Sequence, residues 1–187
     1  MLEVINQGLE TSVQDYPGRV GYLNQGFPPS GPMDSWSFRL ANLLVNNDES
    51  EGALEGQYTG PTLKFEKDQV VAICGADMQP KVNGKSVPMW ESILIKADQT
   101  LELGFSLNGA RSYISFAGGI ESNPWLGSKS TFHKAGVGGI DGHAIKKGQK
   151  ISIGQSATRP GRKVREDCIP NIHNSGVWEI EVVRGPN

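Results

Sequence analysis

Ser30, Asp34 and Arg39 lie close together in the stretch Gly26-Phe27-Pro28-Pro29-Ser30-Gly31-Pro32-Met33-Asp34-Ser35-Trp36-Ser37-Phe38-Arg39. A hydroxyl, a carboxylate and a guanidinium held at fixed positions can orient a polar ligand by donating and accepting hydrogen bonds. The surrounding residues supply the rigidity. Three prolines and two glycines fall within the seven residues from Gly26 to Pro32. Proline fixes φ, and glycine reaches backbone angles closed to other residues. Asp34 then precedes an apolar pattern at Phe38, Ala41, Leu44 and Val45 with helical spacing. That placement predicts a helix capped by Asp34 through its free N–H groups. Asp34 therefore has two readings, a cap and a chemical group.

The rest of the chain predicts a mainly β protein that positions this loop. Val70-Val71-Ala72-Ile73-Cys74 is an apolar run of strand length, and Ile93-Leu94-Ile95 and Leu101-Glu102-Leu103 are further strand candidates. Cys74 reads as a buried small hydrophobe. Asn83-Gly84, between Met78–Val82 and Lys85–Met89, predicts a tight hairpin because both residues tolerate positive φ. Ser112–Phe116 alternates so that Ile114 and Phe116 share one face, and Gly118-Gly119 ends it. Glu121 to Gly148 is loop-rich, and Gln149 to Gly154 returns to a short strand pattern. Residues 156–176 read as a linker, and the basic run Arg159 to Arg165 within them as a solvated part of it. Val177–Val183 alternates as a strand, followed by Gly185-Pro186-Asn187. Short strands at this spacing with one helix favour a small barrel over a doubly wound sheet.

Composition narrows the function classes. The chain of 187 residues is 37% hydrophobic, enough for one globular core, and its formal charge is −2. A clustered basic surface is lacking, which argues against a nucleic-acid partner. No stretch has the roughly 18 apolar residues of a membrane span, and the N-terminus lacks a secretory pattern, which points to the cytoplasm. Cys74 and Cys168 give neither a disulfide framework nor a metal pair.

Familiar catalytic motifs are not matched. Gly127-Ser128-Lys129-Ser130-Thr131 lacks the glycine and lysine positions of a phosphate-binding loop. Gly136-Val137-Gly138-Gly139-Ile140-Asp141-Gly142 fails the dinucleotide spacing and reads as a wide loop. His133, His143 and His173 have no zinc spacing. Ser30 in Pro29-Ser30-Gly31 is not a nucleophile elbow.

A set of short motifs, taken in order, is more specific. Gly8-Leu9-Glu10-Thr11-Ser12-Val13-Gln14-Asp15 with Pro17-Gly18-Arg19, then Pro28–Asp34, then Phe38-Arg39-Leu40-Ala41-Asn42, resembles the biotin-dependent carboxyltransferase family also called allophanate hydrolase subunit 2 or KipA. Ala53-Leu54-Glu55, Gly60-Pro61-Thr62-Leu63, Gly75-Ala76-Asp77, Ala117-Gly118-Gly119-Ile120, Leu126–Thr131 and Gly138-Gly139 extend the resemblance across residues 2–154. The resemblance implies a cyclophilin-like β-barrel over 1–155, a linker over 156–176, and the start of a truncated second half over 177–187. Within the family, Pro28–Asp34 is most similar to the carboxyltransferase domain of urea carboxylase and urea amidolyase, where carboxybiotin passes its carboxyl group to urea and forms allophanate.

The resemblance further implies biotin held by a partner carrier domain and ATP used by a partner domain only. Its expected partners are a biotin carboxylase, the biotin carrier and a sister half of the allophanate hydrolase subunit 1 type. On this basis Asp34, Asp15 and Asp77 are candidate acceptors for urea nitrogens, and Arg39 and Gln14 candidate donors or orienting groups. Ser30, Gly31, Gly118, Gly119, Ser128 and Ser130 are candidates for contact with the cofactor, and no metal is expected. Asp15 and Asp77 also read as turn-stabilising residues, and Arg39 as half of a local ion pair. Two other family roles remain open at this point, a subunit of ATP-dependent 5-oxoprolinase and a regulatory module that counters a kinase inhibitor. This chain alone, truncated and without an attachment site for biotin, is expected to be inactive.

Overall fold

Short alternating segments bury one face only by pairing into sheets, and the chain does this twice. The computed structural model of the protein describes residues 1–172, 177 and 179–185. In chain order its strands are β1 (Leu2–Asn6), β2 (Glu10–Gln14), β3 (Ala53–Gln57), β4 (Thr62–Phe65), β5 (Gln69–Asp77), β6 (Lys81–Val82), β7 (Lys85–Ser86), β8 (Ser92–Ile95), β9 (Thr100–Glu102), β10 (Asn108–Phe116) and β11 (Lys150–Ile151). Helix α1 (Ser35–Leu44) stands between β2 and β3. One sheet has the order β11-β1-β4-β9-β6-β7 and the other β2-β3-β10-β5-β8, with antiparallel pairing throughout. The fold is mainly β, as expected.

The inner faces share one core that includes Leu2, Val4, Val13, Leu54, Leu63, Phe65, Ile73, Ile114 and Phe116. Ile114 and Phe116 do share a face, while Tyr113, just before Ile114, points to the opposite one. There α1 covers part of the second sheet, packing Phe38, Ala41 and Leu44 against Ala72, Cys74, Tyr113 and Ala117. Phe38 is fully buried, which contributes about 2–3 kcal/mol. The predicted helix start is met: Asp34 Oδ1 accepts from Ser37 N at 3.0 Å.

The predicted hairpin forms at Asn83-Gly84, with φ of 48° and 77°, although its strands β6 and β7 are shorter than the alternation suggested. Around the predicted linker, Thr158 Oγ1 donates to the Val45 carbonyl at 3.0 Å. Gly161 N donates to Ser92 O, Ser92 N to Arg162 O, and Val164 N to Trp90 O. The basic run therefore lies beside the start of β8. No strand forms at residue 177 or over 179–183. Ile180 and Val182 are 78% and 84% exposed, because no described residue offers that segment a strand to pair with. His173, Trp178, Pro186 and Asn187 lie outside the described residues. Among the described residues, no helix is long and apolar enough to cross a membrane.

Candidate functional site

Helix α1 covers only part of the outer face of the second sheet. The β2, β3 and β10 end presents polar side chains instead. Side chains at i and i+2 share a face of a strand. With Val13, Leu54 and Ile114 turned into the core, Glu10, Ser12 and Gln14 of β2, Glu55 and Gln57 of β3, and Arg111 of β10 must point outward. The register aligns them in rows: Glu10 opposite Gln57 and Ser12 opposite Glu55 on one side, and Arg111 opposite Gln57 and Tyr113 opposite Glu55 on the other. These residues floor a cleft of about 340 Å³, walled by Ser30 and Gly31 and by Thr131, Phe132, His133 and Lys134. That volume is within the range of small-ligand sites.

The loop over the cleft is fastened by the floor itself. Gln14 Oε1 accepts from Gly31 N at 3.0 Å, while Gln14 Nε2 donates to Ser12 Oγ at 3.0 Å. Glu55 Oε2 accepts from Met33 N at 2.9 Å and from the Tyr113 hydroxyl at 2.9 Å. The same hydroxyl accepts from Asp34 N at 2.7 Å. Ser30 sits at φ 56°, a left-handed conformation that costs a non-glycine residue on the order of 1–2 kcal/mol. The floor thus fixes both ends of the Ser30–Asp34 segment, and Ser30 bears the strain.

Of the expected site residues, the structure brings Gln14, Ser30 and Gly31 into one cleft. Asp34 is adjacent, but both its oxygens accept from Ser37, through the backbone N–H and the hydroxyl. Arg39 ion-pairs with Glu49 at 2.7 Å and lies over the Tyr16 ring, and its hydrogen bond to Glu49 raises its pKa. Asp77 Oδ1 accepts from Gln79 N at 2.8 Å, within its own turn. Gly118 and Gly119 follow β10, where Gly118 N donates to Asn47 Oδ1 and Gly119 N to Phe116 O. None of these lines the cleft.

Asp15, Ser128 and Ser130 form a separate cluster. Asp15 Oδ1 accepts from the Ser128 and Ser130 hydroxyls at 2.6 and 2.5 Å, and Asp15 Oδ2 from Lys129 N at 2.6 Å. Beside it Arg19, only 1% exposed, donates to Ser130 O at 2.8 Å and stacks 4.8 Å from the Trp125 ring centroid. Burial lowers the Arg19 pKa, and the Asp15 charge acts against that shift.

The sequence reading did not select Glu10, Glu55, Gln57, Arg111 or Lys134. The available signal was the polar alternation against Val13 and Leu54, which requires knowing that both segments are strands.

Burial pushes the Tyr113 phenol up, and the Glu55 charge adds to the shift; burial likewise pushes the Cys74 thiol up. In an unfolded chain these groups ionise near about 10 and about 8.5. Above those values the unfolded state has released protons that the folded state keeps, so stability falls as pH rises past about 8.5. Urea midpoints are expected to drop between neutral and strongly alkaline pH, and to drop less in a Tyr113→Phe/Cys74→Ala protein. Parallel pH slopes for the two proteins would assign the alkaline loss to other groups.

Residues 25–187 match the family described as carboxyltransferase domain, subdomain A and B. The chain belongs to this carboxyltransferase domain family. Urea amidolyase of Saccharomyces cerevisiae is 38% identical over 191 residues, covering 100% of this chain and 10% of that protein. A 5-oxoprolinase subunit of Escherichia coli is 39% identical over 156 residues, covering 83% of this chain and 50% of that protein. The crystal structure of Kluyveromyces lactis urea carboxylase superposes with a TM-score of 0.87 at 38% identity, over 92% of this chain and 16% of that one. The chain thus spans a small part of the urea enzymes and half of the bacterial protein.

Proposed function

We propose that this chain is part of a carboxyltransferase that moves a carboxyl group from carboxybiotin to urea, forming allophanate, or to a related amide. The observation that carries the reading is the fastened polar cleft under the Ser30–Asp34 segment, in a chain similar to urea carboxylase over most of its length. The donor and acceptor set fits a ureido or amide group: the Gln57 amide, the Ser30 hydroxyl and the Arg111 Nη atoms have no hydrogen-bond partner among the described residues.

Carboxybiotin on a partner carrier would supply the carboxyl group, leaving its ring nitrogen to take up the acceptor's proton. In this reading the chain itself contributes position. Gln14 holds Gly31, Glu55 and Tyr113 hold Met33 and Asp34, and Arg111 and Gln57 face the ligand from the sheet. Orientation of this kind lowers a barrier without new covalent chemistry. A biotin carboxylase, which consumes ATP, and a sister half complete the assembly. Similarity to the 5-oxoprolinase protein supports a second reading, a subunit of an ATP-dependent 5-oxoprolinase that acts on 5-oxoproline without biotin.

The test is carboxyl transfer to urea and to 5-oxoproline by the full-length protein with its partner domains. Gln14→Leu, which frees the Gly31 N–H, is expected to lower transfer about tenfold. Transfer to neither acceptor would sink the proposal. Asp34→Asn separates chemistry from capping, because Asn caps a helix about as well as Asp. A large loss there assigns Asp34 to the reaction, and unchanged urea-dependent turnover removes it from the catalytic set.

A further inference from the structure

The charges of the cleft are unevenly paired. Glu10 Oε1 lies 3.2 Å from His133 Nε2. Glu55, whose side chain is 13% exposed, turns Oε1 to Arg111 Nε at 3.3 Å, while its Oε2 is occupied by Tyr113 and Met33. Glu55 is therefore engaged through both oxygens, and Glu10 through one. Arg111 and Lys134 line the same cleft, and their Nη and Nζ atoms have no hydrogen bond or ion pair among the described residues. Arg111 Nε is buried without a hydrogen bond and is held beside Glu55 by the ion pair alone. The planar Nη fork that remains free matches the two oxygens of a carboxylate. Urea meets this fork with a single carbonyl oxygen and no charge, where a carboxylate brings two oxygens and the counter-charge. The carboxylates of Asp34, Asp15 and Asp77 already accept from Ser37, from residues 128–130 and from Gln79.

We infer that the cleft grips a carboxylate joined to an amide, with the Arg111 Nη atoms as its fork and Lys134 as the second cation. The inference rests on the carboxyltransferase reading of the cleft and specifies which end of the substrate is held. Glu55 is the positioning residue that holds Arg111 at the cleft through their ion pair. Two sources share this ligand chemistry: a carboxyl group already placed on a urea nitrogen, and a lactam that carries its own carboxylate.

Calorimetric titration of the full chain at low ionic strength distinguishes them, using allophanate against urea and 5-oxoproline against 2-pyrrolidinone. At least one carboxylate is expected to bind about tenfold more tightly than its neutral counterpart, the size of a charge-assisted pair. Arg111→Gln should abolish that preference. Lys134→Met, at an exposed position, should reduce it about threefold without disturbing the fold. Equal binding of charged and neutral members in both pairs overturns the inference, as does a preference unchanged by either variant. Transfer activity of the assembled enzyme is read separately. If no acceptor is carboxylated while the anion preference holds, the carboxyltransferase reading fails and the anion site stands. If transfer proceeds and the preference is missing, only the anion site fails.

Discussion

Gly138→Ala is expected to lose about 3 kcal/mol of stability, combining a strained backbone with overpacking of a buried contact. Gly138 has φ 72°, and a Cβ there would overlap the Ser130 carbonyl oxygen and lie 3.0 Å from Arg19 Nη2. That carbonyl is the acceptor for Arg19 Nη2 at 2.8 Å. Removing the partner of a buried charge is expensive because the charge keeps its desolvation cost. Ser130 also donates through its backbone N–H to Asp15 Oδ1 at 3.1 Å, so displacing it loosens the Asp15 cluster as well. Gly139 N, bonded to Lys129 O at 2.7 Å, limits how far the glycine loop can retreat.

Gly127→Ala is the matched control. Gly127 has φ 77° with nothing within 4 Å of the added Cβ, so only the backbone penalty of about 1 kcal/mol applies. Urea midpoints at unchanged m-value measure both losses. Equal losses would mean that the loop relaxes around the methyl, and that the Ser130–Arg19 contact does not depend on its close approach.

What the sequence discloses follows the range of the interactions involved. Helix α1 and the Asn83-Gly84 hairpin are set by neighbouring residues, a cap in one case and two positive φ angles in the other, so local chemistry sufficed. Ile114 and Phe116 showed their shared face because alternation survives wherever one side is buried. The cleft is different in kind. Glu10, Gln57 and Arg111 come from three strands far apart in sequence and become neighbours only through the β2-β3-β10 register. On its own each looks like an ordinary solvent-facing residue. The pattern over 179–183 shows the converse: alternation is a demand for a partner strand, and no strand forms there. The loop at Ser30–Asp34 was visible because proline and glycine mark rigidity directly, whereas its fastening to Gln14, Glu55 and Tyr113 was not.

Glu55→Gln is expected to reduce carboxyl transfer about a hundredfold, the scale of a roughly 1 Å misplacement of positioning groups. Glu55 accepts from Tyr113 and Met33 on one oxygen and ion-pairs with Arg111 through the other. A glutamine has one oxygen and one NH₂, so either orientation sets a donor against donors. Turned to Arg111, the NH₂ repels the guanidinium, which has also lost its counter-charge. Turned to Met33, it expels the loop that carries Ser30 and Gly31. Each unsatisfied donor also costs about 1–3 kcal/mol of stability. Tyr113→Phe provides the graded comparison, since it keeps the Glu55 charge and removes only the hydroxyl bridging Glu55 and Asp34 N. Its transfer rate should therefore fall by only about tenfold. Steady-state kinetics of the assembled enzyme separate the two residues further: a loss in kcat reports the displaced loop, and a rise in KM reports the freed Arg111. Transfer within about threefold of wild type, alongside a lowered urea midpoint, would assign Glu55 to holding the fold and leave the orientation of the ligand to other groups in the cleft.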